Sequence, residues 1–348
     1  MNTPLEAESE PVYVSAMKFA ALALLVLAGC PNQSLNESKT ALNAGNKASG
    51  AKQFQTAITE YQRAVDKYHD NHLAWYGMGG AEAGTGDWAK AADAFAVAVQ
   101  LEDKQPMYQM WYGVALYEKA VAAARDEQTK NHKAEDVKID LSNLNFEKSM
   151  QHLQEATKLN GDMWRAHYYL GRIYREQDKP KEAATEFSAA IKANPRESGP
   201  YIALGELYRR WDFSAEAIKV ASQGTANVPG SQEASDIWYV LAMGYDDQRM
   251  DDKAIEAFDK AIESRRDNYK AKFQRGQAYF RKGDLIRAKR DLEEFSKSSG
   301  ASLEFNKQQA TKMLMDIAAK ASADSAPAQP KPSPQDLVNQ GKNGKKKS

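Results

Sequence analysis

The sequence predicts an all-α protein, a solenoid of about seven helix hairpins stacked one on the next and closed by a C-terminal capping helix. Three observations predict it. Small, aromatic and proline residues recur with a period of 34 from Ser38 onward. Within each period the apolar positions follow helical spacing. Alanine is abundant, while 12 prolines and 21 glycines are spread through the 348 residues. A repeat of this length is one hairpin that cannot bury its apolar face alone, so it must stack on its neighbours.

The clearest unit spans 164–197 and carries Leu170, Gly171, Tyr174, Ala183, Phe187, Ala190 and Pro195. The unit from Ser198 repeats the frame with Tyr201, Leu204, Gly205, Tyr208, Ala217 and Pro229. The unit from Ser235 has Trp238, Leu241, Tyr245, Ala254, Phe258 and Ala261, and from Tyr269 come Gly276, Tyr279, Ala288 and Leu292. Upstream, the unit from His72 has Trp75, Gly79, Ala91, Phe95 and Ala98, and the unit from Ser38 has Gly45, Ala57, Tyr61 and Ala64. One unit is interrupted: Gly113 marks its first helix, but its second is recognisable only at Ser149, Leu153 and Ala156, so 24 residues are inserted within 106–163.

This spacing, L-G-x2-Y…A-x3-F-x2-A-x4-P, resembles the tetratricopeptide repeat. The resemblance covers 38–302 and implies a right-handed superhelical solenoid. Small residues at the eighth and twentieth places, such as Gly171 and Ala183, would let the two helices of a unit approach closely. The insertion is expected to lengthen the helices of the third hairpin or to form a loop. A helix over 303–321 suits the cap, and 322–348, rich in Pro, Ser and Lys and without aromatics, is expected to be disordered.

The N-terminus carries a different signal. Lys18 precedes an apolar run from Phe19 to Leu27, too short for a membrane span of about 20 residues. The run ends in Leu27-Ala28-Gly29-Cys30, which resembles a bacterial lipobox. That likeness implies a signal peptide over 1–29, cleaved before Cys30, and acylation of this single cysteine. Residues 1–16 hold three glutamates and no Lys or Arg, so Met17 is the expected start. Residues 30–37 then form a short lipidated linker. Apart from the covalent lipid no cofactor is expected.

Charge and motifs narrow the function. With 47 basic and 47 acidic residues the chain lacks the basic bias of a nucleic-acid binder. One cysteine precludes an internal disulfide and a Cys-based zinc cage. "GMGGAEAGTGD" lacks the G-K-[ST] of a phosphate loop and falls on a helix and turn of a repeat. His69 and His72 sit in an inter-repeat turn with no further ligand at metal spacing. No catalytic signature appears, so no catalytic or metal residues are assigned.

The family resemblance implies a concave groove lined by positions 2, 5, 9 and 12 of each first helix. Candidate groove residues are Tyr76, Met110, Tyr117, Tyr168, Arg172, Arg175, Ile202, Arg209, Tyr239, Phe273 and Gln277. The apolar ones suit a peptide or partner helix. Arg165, Arg172, Arg175 and Arg209, with Arg210 nearby, could receive a carboxylate. The Lys…Asn clamp of chaperone-binding relatives is missing, because Leu42 stands where lysine is required. The expected function is a non-catalytic, lipid-anchored scaffold binding protein partners in a bacterial envelope, on the outer membrane facing the periplasm, assisting assembly of an outer-membrane complex such as a type IV pilus secretin. The alternatives are an envelope hydrolase with an unrecognised site, or a structural spacer.

Overall fold

A computed structural model describes residues 31–130, 139–228, 230, 232–297 and 304–325. The lipobox, Cys30, Met17 and residues 326–348 lie outside them. Among the described residues the structure is all α. The helices are α1 (Pro31–Gly50), α2 (Phe54–Lys67), α3 (His72–Thr85), α4 (Trp88–Leu101), α5 (Pro106–Thr129), α6 (Glu147–Leu159), α7 (Trp164–Glu176) and α8 (Pro180–Ala193). They continue as α9 (Ser198–Arg210), α10 (Ser214–Asn227), α11 (Ala234–Asp247), α12 (Asp251–Ser264), α13 (Tyr269–Arg281), α14 (Leu285–Ser296) and α15 (Glu304–Ser325). Odd-numbered helices from α1 to α13 are the first helices of seven hairpins, and α15 follows the last. None is long and apolar enough to cross a membrane.

The period of 34 is visible in the contacts. A Cβ built on Gly45, Gly79 or Gly171 would lie 2.6–2.8 Å from the ring of Tyr61, Phe95 or Phe187, each sixteen residues on. The eighth place is therefore glycine because the ring at the twenty-fourth fills that space. A tyrosine at the fifth place tilts against the same ring: Tyr76–Phe95, Tyr168–Phe187 and Tyr239–Phe258 have centroids 5.7, 6.0 and 6.1 Å apart. The fifteenth place takes left-handed backbone in six hairpins, at Lys52, Gly86, Asp178, Asp212, Arg249 and Gly283. Only two of these are glycine.

Hairpins are also joined by polar bonds. Ser38 Oγ donates to the carbonyl of Ala64 while accepting from Asn71 Nδ2, and Asn71 Oδ1 caps the amide of Ala74. Ser235, Ala261, Asn268 and Ala271 repeat this arrangement five units later. All four side chains are buried, so the bonds satisfy groups that would otherwise be costly inside.

Three expected boundaries differ. The stretch taken as a linker is helical from Pro31, because proline at the first helical position loses no hydrogen bond and a Gln33–Glu37 side-chain bond supports the added turns. The last helix runs to Ser325, four residues into the stretch expected to be disordered, and stops two residues before Pro327. The insertion lengthens only the first helix of its hairpin. α5 has 24 residues and α6 only 13. The chain then returns by an irregular segment whose Phe146, with Leu141 and Leu144, packs on Tyr117 and Val121 of α5. Gln128 closes this return by donating to the Asp140 carbonyl and accepting from its amide, both at 2.8 Å.

Candidate functional site

The groove positions of the first two hairpins, with Trp111 of the third, border a cleft of about 640 Å³. Its lining includes Leu42, Asn46 and Ser49 of α1, Leu73, Tyr76, Gly77, Gly80, Ala83 and Gly84 of α3, with Phe54, Tyr61, Trp88, Phe95 and Trp111 as aromatic walls. No charged side chain is among them. The floor is low because α3 presents small residues at its ninth, twelfth and thirteenth places. At Gly80 a Cβ would meet nothing within 4 Å, so this part of the floor is open space.

The walls are braced from behind. Tyr76 stacks on Tyr108 with centroids 4.8 Å apart, and the Tyr108 hydroxyl bonds His72 Nδ1 at 2.8 Å. Phe95 stacks on Trp111 at 6.2 Å. Tyr61 Oη donates to Asn46 Oδ1 at 2.8 Å, which turns the amide's N–H donors away from that bond. Burial raises the pKa of the Tyr76 hydroxyl, with Arg165 acting in the opposite direction, so the group stays a neutral donor. An uncharged aromatic cleft with a few fixed polar groups can hold an apolar side chain and orient the chain that carries it.

The other sequence-assigned residues are placed differently. Met110, Tyr117 and Phe273 are not groove residues: all three are buried in the core. Tyr117 lies under Phe146, with ring centroids 5.0 Å apart, and under Tyr169 at 5.3 Å, because the insertion folds back over its position. Phe273 packs on Phe295, 4.8 Å away, where the last hairpin meets α15. Tyr168, Ile202 and Tyr239 are half-buried and pack against the central core, and burial pushes the Tyr239 hydroxyl up to about 12. Gln277 is half-buried.

The arginines are mostly committed. Arg172 lies over Tyr117 and Tyr169 and pairs with Glu118 at 3.2 Å. Arg175 pairs with Glu176 at 2.8 Å. Arg209 grips both oxygens of Asp247, at 2.6 and 3.1 Å. A second cleft of about 630 Å³ beside it, lined by Glu206, Arg209, Arg210, Asp212, Asp246, Asp247 and Arg249, is polar. Two of its acids, Asp246 and Asp247, belong to ion pairs between hairpins, with Arg281 and Arg209. Arg210 and Arg165 form no ion pair among the described residues, and Arg165 lies over the rings of Trp111 and Trp164, 4.9 and 4.6 Å from their centroids.

Sequence reasoning missed Gly80, Ala83, Trp88 and Trp111. For Gly80 and Ala83 the signal was present in "GMGGAEAGTGD": small residues at groove places where the unit from Trp164 carries Arg172 and Arg175. Among the described residues no group of three His, Asp or Glu is placed to hold a metal ion.

The sequence profile of the tetratricopeptide repeat matches residues 42–106, 138–198 and 239–288, just over half of the chain. The chain is a tetratricopeptide-repeat protein. Its fold is similar to that of a tetratricopeptide repeat protein from Parabacteroides merdae, with TM-score 0.51 and 13% identity over 81% of this chain and 99% of that one. PilF of Pseudomonas aeruginosa gives 0.50 and 13%, covering 68% and 95%, and the Cut9 and Hcn1 assembly 0.54 and 12%, covering 78% and 48%. No curated protein matches in sequence. At these identities the likeness is one of fold. As an array of such repeats, this tetratricopeptide-repeat protein is built as a protein-interaction scaffold.

Proposed function

We propose that this protein is a non-catalytic adaptor of a bacterial cell envelope, held at the membrane by acylated Cys30, which grips an extended apolar segment of a partner protein in the cleft of its first three hairpins. The observation that carries the binding role is the cleft itself: aromatic walls, an open glycine floor and no charge. Apolar surface of this kind gains free energy when a partner removes it from water. The anchoring role rests on Cys30 closing an apolar run in a lipobox-like sequence. Helical geometry from Pro31 to Ser38 would keep the first hairpin within about 10 Å of the lipid. An assembly role at an outer-membrane complex such as a pilus secretin fits this combination of anchor and repeats.

A photocrosslinker at Ala83 tests the cleft in cells. The expected result is an adduct with one protein partner that disappears when Gly80→Trp fills the floor, while the variant keeps the wild-type helix content. An adduct indifferent to Gly80→Trp overturns the cleft as the site. Separately, Cys30→Ser should move the protein from the membrane to the soluble fraction. A variant that still sediments with membranes after a salt wash overturns the anchor.

A further inference from the structure

The aromatic cleft is uncharged, and one cation stands at its α5 wall. Arg165 enters from α7, the first helix of the next intact hairpin, and lays its guanidinium 4.9 Å over Trp111, a wall of the cleft. The ring of Trp164, its chain neighbour, lies 4.6 Å from the same guanidinium. A guanidinium that stacks uses its faces; its N–H donors lie in the plane and stay available at the edge. Arg172, Arg175 and Arg209 spend those donors on Glu118, Glu176 and Asp247. Arg165 does not, and no acid lines the cleft to neutralise it.

We infer that the cleft is specific for an apolar segment bearing a carboxylate, which Arg165 receives in a two-pronged ion pair while the apolar side chains lie over Gly80 against Tyr76 and Trp111. This deepens the proposed function and rests on its cleft. Stacking holds the guanidinium in place, so little side-chain freedom is lost when the carboxylate arrives. The carboxylate is either the end of the partner chain or an Asp or Glu side chain. Both offer the same pair of oxygens.

The probes are two libraries of eight-residue peptides with Leu or Phe at two fixed positions, one ending in a carboxylate and one in a carboxamide. Each is enriched on the full chain. Selected peptides are resynthesised with either end group, and with Asp and Glu changed to Asn and Gln, then titrated. The expected result is that removing one of these carboxylates weakens binding about tenfold or more, and the arm that does so identifies its source. Arg165→Gln should erase this preference with the apolar contribution retained, Arg165→Lys should keep part of it, and Arg210→Gln should leave it unchanged. Peptides that bind with no preference for a carboxylate, or whose preference survives Arg165→Gln, overturn the inference and leave the cleft standing. If no peptide binds, the inference and the cleft fall together.

Discussion

Arg275 stands at the seventh place of the last hairpin, where Leu170, Leu204 and Leu241 stand in others, and it replaces an apolar contact with a charge network. Its guanidinium binds both oxygens of buried Asp291, at 2.6 and 2.8 Å, and reaches Asp259 at 2.6 Å. These acids hold its pKa above the ordinary arginine range, against the burial that would lower it. Removing one partner of such a pair leaves the other charged and buried, which costs about 3–5 kcal/mol. Arg275→Met should therefore lower the urea midpoint markedly, and adding Asp291→Leu should recover most of the loss. If the single variant unfolds at the wild-type midpoint, Asp291 is solvated in a way the fold does not show. Neither residue was legible as a pair, since a charge sixteen positions from another is an ordinary feature of exposed helices.

At the scale of the hairpin, the turn between its two helices asks for left-handed backbone at the fifteenth place. Lys52 and Arg249 adopt it with φ of 58° and 59°, as do Asp178 and Asp212. A side chain other than glycine is strained there by about 1–2 kcal/mol, against which glycine's greater freedom in the unfolded chain must be set. Arg249→Gly should raise stability by roughly 0.5–1 kcal/mol, seen as a higher melting temperature, and Asp212→Gly by less because aspartate tolerates this conformation. A fall in melting temperature for Arg249→Gly would mean that its side chain contributes more than the turn costs. The hairpins themselves were legible because Gly171 and Phe187 obey one steric rule in unit after unit. The course of the insertion was not. Its helical half continues α5 without a break, and its return is set by Phe146 finding Tyr117 and by Gln128 clasping Asp140.

For the whole molecule, stability is a chain of local interfaces rather than one core. Phe187, Tyr201, Ile237 and Phe258 form a central cluster across several hairpins, while Phe273, Phe295, Ala310 and Ile317 form another where α15 covers the last one. In such an array each unit depends mainly on its neighbours. Deleting Glu304–Ser325 should therefore strip amide-exchange protection from α13 and α14 while α1–α4 keep theirs. Equal loss in all helices would show a single cooperative core.

The division between what the sequence determined and what needed the tertiary structure follows from the range of the forces. Periodicity, the small residues of the eighth place and the hairpin boundaries are local or repeat every 34 residues, so one chain states them several times over. The identity of the open cleft is decided once. Tyr76, Tyr168 and Tyr239 occupy the same place and pack on the equivalent ring, and around Tyr76 the neighbours Gly80, Ala83 and Trp111 leave space beside it. Five arginines look equivalent on the groove positions and beside them, yet an acid of another helix reaches Arg172 and Arg209, a chain neighbour takes Arg175, and none pairs with Arg165 or Arg210. That is a matter of three-dimensional neighbours, and of the two left unpaired it is Arg165 that stands over a wall of the cleft.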